Sequence, residues 1–216
     1  MRIKIPTTSY HMAPANKEVH KIKPIGELLR RYIAEAISAN PHATIVDPFA
    51  RNATLANFTN DISRDTDAAF HMDAADFLEF LYQQGVRADV VIFDPPFSAS
   101  QNAKAYKVKE KGTRLQDTIV RCKQILPRLV RNGGIVITTG WTANGVGDWR
   151  GFDKIEFMTV NHSYNRYATT CLVERKVFEP IHVIWKYFEA DKCSQRHDNN
   201  CDKAREELAD SYFKIP

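Results

Sequence analysis

Cysteine is scarce: Cys122, Cys171, Cys193 and Cys201 are the only four in 216 residues. That is too few and too scattered for a disulfide framework at this length, so reduced thiols are expected. No apolar run approaches the roughly 20 residues that cross a bilayer. The opening Met1-Arg-Ile-Lys-Ile-Pro6 lacks the apolar stretch of a signal peptide. These absences argue against a disulfide-stapled or membrane-spanning protein, and the chain is expected to be soluble and cytoplasmic. Charge of one sign is missing too, because 30 Lys and Arg against 26 Asp and Glu leave a net charge of +4. Such a surface permits phosphate contacts on one face without demanding them. There is no internal repeat and no low-complexity tract. What is present, 44% hydrophobic and 11% aromatic residues, can bury about 70% of the unfolded surface, which excludes a disordered or fibrous chain. The length predicts a single domain over 1–216.

Periodicity orders the chain. Lys23-Pro24 opens a helix, with Pro24 in the first turn and Ile25, Leu28, Leu29, Tyr32, Ile33 and Ile37 at helical spacing, ended by Asn40-Pro41. Ala43 to Asp47 is a short apolar run closed by a carboxylate and a proline, the form of a buried parallel strand. Asn57 to Asp61 and Ala69 to Asp73 are two further strand candidates ending in Asp. A helix over Asp76 to Tyr82 stops at Gly85, and Ala88 to Phe93 is the strongest buried strand. Ser98 to Gly112 is a long, lysine-rich loop. A helix over about Thr113 to Arg131 follows, with Pro127 expected to kink its last turn. Asn132-Gly133-Gly134 is expected to turn into a strand over Ile135 to Thr139. Lys154 to Val160 and Thr169 to Val173 are expected to pair as an antiparallel hairpin. Strands alternating with helices, then a hairpin, predict an α/β sheet, mostly parallel with an antiparallel C-terminal hairpin.

In an open parallel sheet, ligands lie beyond the carboxyl ends of the strands. The reading above puts Asp47, Asp61, Asp73 and Asp94 there. Carboxylates at the first two strand ends suit a Rossmann-like nucleoside site, the second accepting from ribose hydroxyls; each could equally cap a helix. Asp94-Pro95-Pro96-Phe97 is sharper. Two prolines remove two backbone donors, leaving the Asp side chain and the carbonyls facing outward as acceptors for an exocyclic amine, with Phe97 placed to stack on a base.

These residues carry a resemblance. Ile45-Val-Asp-Pro-Phe-Ala50 followed by Asp94-Pro-Pro-Phe97 resembles the S-adenosylmethionine-dependent amino-methyltransferases of DNA, especially the adenine-N6 enzymes. Ile22-Lys-Pro-Ile-Gly-Glu-Leu-Leu29 looks like their segment bordering the methionine end of the cofactor. Asp47 to Asn52, Thr59-Asn-Asp61, Met72-Asp-Ala74, Gly140-Trp141 and Asn144-Gly145 look like a small bacteriophage-type group. The resemblance covers about 21–176, leaving 177–216 as a C-terminal extension. It implies a Rossmann-like class I methyltransferase sheet with S-adenosylmethionine as cofactor and no catalytic metal. It also implies cofactor contacts from Lys23, Pro24, Asp47, Pro48, Phe49, Ala50, Asp61, Ile62, Asp73, Ala74 and Asp94, and a target-amine site at Asp94, Pro95, Pro96 and Phe97. The implied partner is DNA, with RNA as an alternative; cytosine-N4 and guanine-N2 are alternative targets.

The family's first loop normally has glycines where Arg51-Asn52-Ala53 stand, which keeps open a non-catalytic nucleic-acid-binding relic of the fold. The short separation of Asp47 and Asp61 predicts a reduced or missing first crossover helix. Lys104, Lys107, Lys109 and Lys111 around Tyr106 could follow a phosphate backbone. His162 and Tyr164 to Tyr167, in the hairpin turn, could read bases. Cys193, His197 and Cys201 share a helical face but lack a fourth metal ligand.

Overall fold

A computed structural model describes residues 6–96, 112–142, 144–162 and 168–177, all within the compact unit Met1–Phe178. The strands are β1 (Thr7–Met12), β2 (Ile45–Asp47), β3 (Phe58–Thr59), β4 (Ala88–Phe93), β5 (Val130–Gly140), β6 (Phe152–Asn161) and β7 (Thr169–Lys176). They form one sheet in the order β1-β6-β7-β5-β4-β2-β3. All neighbours are parallel except β7, which runs antiparallel to both β5 and β6. This is the Rossmann-like α/β sheet the sequence predicts, with its antiparallel C-terminal hairpin.

Helices cover both faces, which explains the apolar run Val90 to Phe93 in β4. Val90 and Ile92 point to one side, with Ile25, Leu28 and Leu29 of α1 (Lys23–Ala39). Val91 and Phe93 point to the other, with Phe77, Leu78 and Leu81 of α2 (Ala74–Gln83) and Ile125, Leu126 and Leu129 of α3 (Gly112–Leu129). Alternation across the pleat thus fills two cores from one strand. Helix α1 ends where predicted: Asn40, ahead of Pro41, is extended at φ −145° and ψ 105°, the conformation a following proline imposes.

The structure departs from the sequence expectations at four places. Ala69 to Asp73 is no strand; only Phe70 pairs, through a single parallel bridge to Asn60. Asp73 is instead the N-cap of α2, its carboxylate accepting from Ala75 N and Asp76 N, and capping geometry ends any strand there. Residues 131–134 are not a turn ahead of a strand. β5 begins at Val130 directly from α3, and the register shift between the Ala88–Val130 and Val90–Ile135 pairs absorbs the extra residues, with Gly133 at φ 83°. β1 was not expected at all; it is a polar edge strand whose side chains are nearly all exposed, so no burial pattern marks it. Where Gly145, Gly147 and Gly151 lead the sequence to predict a plain loop over Thr142 to Phe152, residues 148–150 form a short 3-10 turn.

As expected, the first crossover helix is missing. Residues 48–57 join two parallel strands without a helix, and Leu55 and Ala56 press on the α1 side of the core in its place. The phosphate-following loop, Phe97, the hairpin-turn residues 163–167 and the Cys193 group lie outside the described residues.

Candidate functional site

The loop after β2 is shaped by short-range bonds. Phe49 N donates to Asp47 Oδ1 at 3.0 Å, Ala50 N to Asn60 O at 2.9 Å, and Ala53 N to Ala50 O at 2.8 Å. Arg51 closes the turn at φ 50°, the only non-glycine residue with positive φ among those described. An arginine therefore adopts the left-handed conformation a glycine takes freely, at a cost of about 1–2 kcal/mol. Asn60, fully buried, replaces the pairing that a longer strand would supply. Its Nδ2 donates to Pro48 O and Met72 O, both at 3.1 Å, and its Oδ1 accepts from Met72 N at 3.1 Å. One side chain thereby ties the β2 loop to the segment before α2. The sequence reading placed Asn60 within a strand candidate and the Thr59-Asn-Asp61 resemblance but gave it no role, since nothing local shows that its side chain bonds across the fold.

At the carboxyl ends of β2 and β4 a small cleft, open at its mouth, is lined by Asp47 and Asp94 together with Phe49, Ala50, Leu55 and Ile92. The Phe49 ring meets Phe93 edge-on, at 5.5 Å between centroids, which fixes that wall. Arg51, which the sequence reading placed in the cofactor loop, also lines the cleft, as do Lys17, Glu18 and His20 from the segment ahead of α1 and Thr139, none of which it assigned there. The pattern is carboxylates within and a mixed, partly basic rim.

Burial governs the electrostatics. Desolvation pushes the Asp47 carboxyl up to about 8; the Phe49 N–H opposes this, and the charges of Asp94 and Asp61 add to it. Asp94 is pushed up to about 6 by burial, with the Thr139 hydroxyl hydrogen bond and the Arg51 charge opposing. Burial thus raises both carboxyls, Asp47 further than Asp94, so the pair holds a proton more readily than free carboxylates do.

The other predicted residues are distributed as follows. Asp61 is buried beside this loop, accepting from Ser63 N at 2.8 Å, and Ile62 is exposed. Asp73 lies outside the cleft lining, with Oδ1 on the α2 N-terminus and Oδ2 accepting from Thr118 Oγ1 at 2.7 Å. Ala74 is buried under α2. Lys23 is exposed, Pro24 sits in the first turn of α1, and neither lines the cleft. Pro48 and Pro95 are buried and Pro96 is half-buried. His162, offered as a base reader, is buried and bonded to Ala13 O and Thr169 Oγ1, which gives it a structural duty at the hairpin base. No helix among the described residues is long and apolar enough to cross a membrane.

No protein-family model matches the chain, and no curated protein matches it. Solved structures do. A SAM-dependent methyltransferase from Agrobacterium tumefaciens aligns at 13% identity and a TM-score of 0.45, over 71% of this chain and 61% of that one. NSun6 from Pyrococcus horikoshii aligns at 13% and 0.44, over 70% and 52%. An rRNA methylase from Streptococcus thermophilus aligns at 10% and 0.47, over 77% and 100%. The chain thus spans less than two thirds of the length of the first two. With TM-scores below 0.5, these likenesses carry no argument about function.

Proposed function

We propose that the cleft binds S-adenosylmethionine and that the protein transfers its methyl group to the exocyclic amino group of a DNA base, adenine N6 in the first instance. The observation that carries this reading is the shared cleft of Asp47 and Asp94, two carboxylates at the ends of neighbouring parallel strands, walled by Phe49, Leu55 and Ile92. The donor set fits the cofactor: carboxyl groups for nucleoside hydroxyls and amines, apolar walls for a flat ring, and basic rim residues for a carboxylate. Asp47, Pro48, Phe49 and Ala50 would hold it at the β2 loop, with Asp61 beside that loop for the ribose; Ile62, Asp73, Ala74, Lys23 and Pro24, which the resemblance adds, lie outside the cleft lining. When bound, this cofactor supplies a methyl group on a sulfonium.

Asp94 is the working residue. The Thr139 hydroxyl occupies one of its acceptor positions, and a carboxylate keeps further lone pairs for the N–H groups of an incoming amine. In its carboxylate form it can also take up the proton the amine releases on methylation. Pro95 and Pro96 lack N–H groups, so only acceptors face the amine along this stretch. Phe97 supplies the stacking surface and the lysines of Ser98 to Gly112 the phosphate contacts in this reading. Positioning of amine and methyl donor supplies most of the acceleration.

The test is to treat DNA with the protein and cofactor, digest it to nucleosides and separate them by mass spectrometry. N6-methyladenine is expected from the wild type and none from Asp94→Ala. N4-methylcytosine, or N2-methylguanine in RNA, would change the base while keeping the reaction. One observation favours a second reading, a binding relic: Arg51 stands in left-handed conformation where a glycine is expected. No methylated product on duplex, single-stranded DNA or ribosomal RNA would put that reading ahead.

A further inference from the structure

The segment from Ala13 to Ile22 leaves the sheet edge at β1 and runs to α1, and on the way Lys17, Glu18, Val19 and His20 line the cleft. It is held at both ends by residues that do not line the cleft themselves. At the near end, Ala13 N donates to Asn161 O at 3.1 Å, and His162 Nδ1 lies 2.9 Å from Ala13 O. His162 is buried and its Nε2 is 2.8 Å from Thr169 Oγ1, so its ring is fixed between the strap and β7. At the far end, Ile22 is buried, and Gly26 is a helical residue whose missing side chain is the point. A Cβ built on Gly26 would stand 2.5 Å from the His20 carbonyl oxygen. That approach is closer than real Cβ contacts allow, and the neighbour is backbone, so any larger residue at 26 must displace the strap. Between the ends, Lys21 N donates to Glu18 O at 2.9 Å, Ile22 N to Val19 O at 3.0 Å, and Glu18 N to Asn16 Oδ1 at 3.0 Å.

We infer that residues 13–22 form a fixed wall of the ligand cleft, and that Gly26 and His162 are positioning residues that set ligand affinity through it. The strap covers the cleft with side chains of both signs, so its placement decides where the polar end of a ligand finds partners. That the ligand is S-adenosylmethionine rests on the reading above; the strap's placement does not.

The experiment uses the full chain as wild type, Gly26→Ala and His162→Gln, with two readouts. Limited trypsin digestion, followed by mass spectrometry, gives the rate of cleavage after Lys17, with cleavage after Arg131 as the reference. Titration calorimetry gives the affinity for S-adenosylhomocysteine. Both variants are expected to raise the Lys17 rate at least tenfold without changing the Arg131 rate, and to weaken the affinity at least tenfold. If Gly26→Ala does not fold, His162→Gln decides. An unchanged Lys17 rate overturns the inference, as does unchanged affinity beside a raised rate. Should the wild type bind no S-adenosylhomocysteine, the cofactor reading fails; the strap is then decided by the cleavage rates alone.

Discussion

Replacing Asp47 by Asn keeps the side-chain shape, and the amide oxygen can still accept from Phe49 N, but the replacement removes a titrating proton from the cleft. Asp47 is 4% exposed, and burial lifts its carboxyl from the ordinary 3.8 to about 8. Between those values the folded state binds more protons than the unfolded state, so stability falls as pH rises. The contribution is complete below pH 3.8 and lost as pH passes about 8. Asp94, raised to about 6, acts with the same sign over a narrower window. At 1.36 kcal/mol per pH unit the full rise for Asp47 corresponds to at most about 6 kcal/mol; water entry and relaxation in a cleft open at its mouth reduce this to about 2 kcal/mol. With a urea slope of about 2 kcal/mol/M for a chain of this size, the midpoint moves by about 1 M. The assay is urea unfolding followed by far-ultraviolet circular dichroism from pH 5 to 8.5. The difference between wild type and Asp47→Asn reports this group together with its coupling to Asp94 and Asp61. The wild-type midpoint should fall relative to the variant across that range, with the variant the more stable at pH 8.5. Parallel curves would refute a buried, raised Asp47.

Asn60→Ala removes three hydrogen bonds at one buried site and should cost about 2–4 kcal/mol in the same assay; a loss below about 0.5 kcal/mol would contradict its role as the tie between β2 and α2. Arg51→Gly should change stability by no more than about 1 kcal/mol, because relief at φ 50° offsets the entropy of glycine, whereas Arg51→Val should cost more than the glycine variant. Because the Arg51 charge opposes the rise at Asp94, Arg51→Gly should also move the acid limb of the pH–rate profile to higher pH. An unmoved limb would separate Arg51 from the working carboxylate.

Legibility in the sequence followed burial. β4 was readable to the residue, Ala88 to Phe93, because both faces are buried from Val90 to Phe93 and only Asp89 interrupts its apolar run. α1 was readable at both ends through Pro24 and Asn40-Pro41. The missing crossover helix followed from counting residues between Asp47 and Asp61. β1 was invisible because an exposed edge strand needs no apolar alternation, and the strap behind it has no periodic pattern at all. Ala69 to Asp73 misled because Asp ends strands and caps helices equally well, and here the cap won. In the candidate site, Asp47 and Asp94 were found from their strand-end positions. Asn60, Thr139, Gly26 and the strap residues were not, since each acts through a contact made across the fold.

The central claim is that the Asp47–Asp94 cleft is a nucleoside-cofactor site, and calorimetric titration of the full chain with S-adenosylmethionine and S-adenosylhomocysteine tests it most directly. The account predicts one saturable site for each ligand, with thermal stabilisation of about 2.7 kcal/mol at 100 times the dissociation constant, and weaker binding by Asp61→Ala. Absence of heat and of stabilisation at millimolar ligand would contradict it.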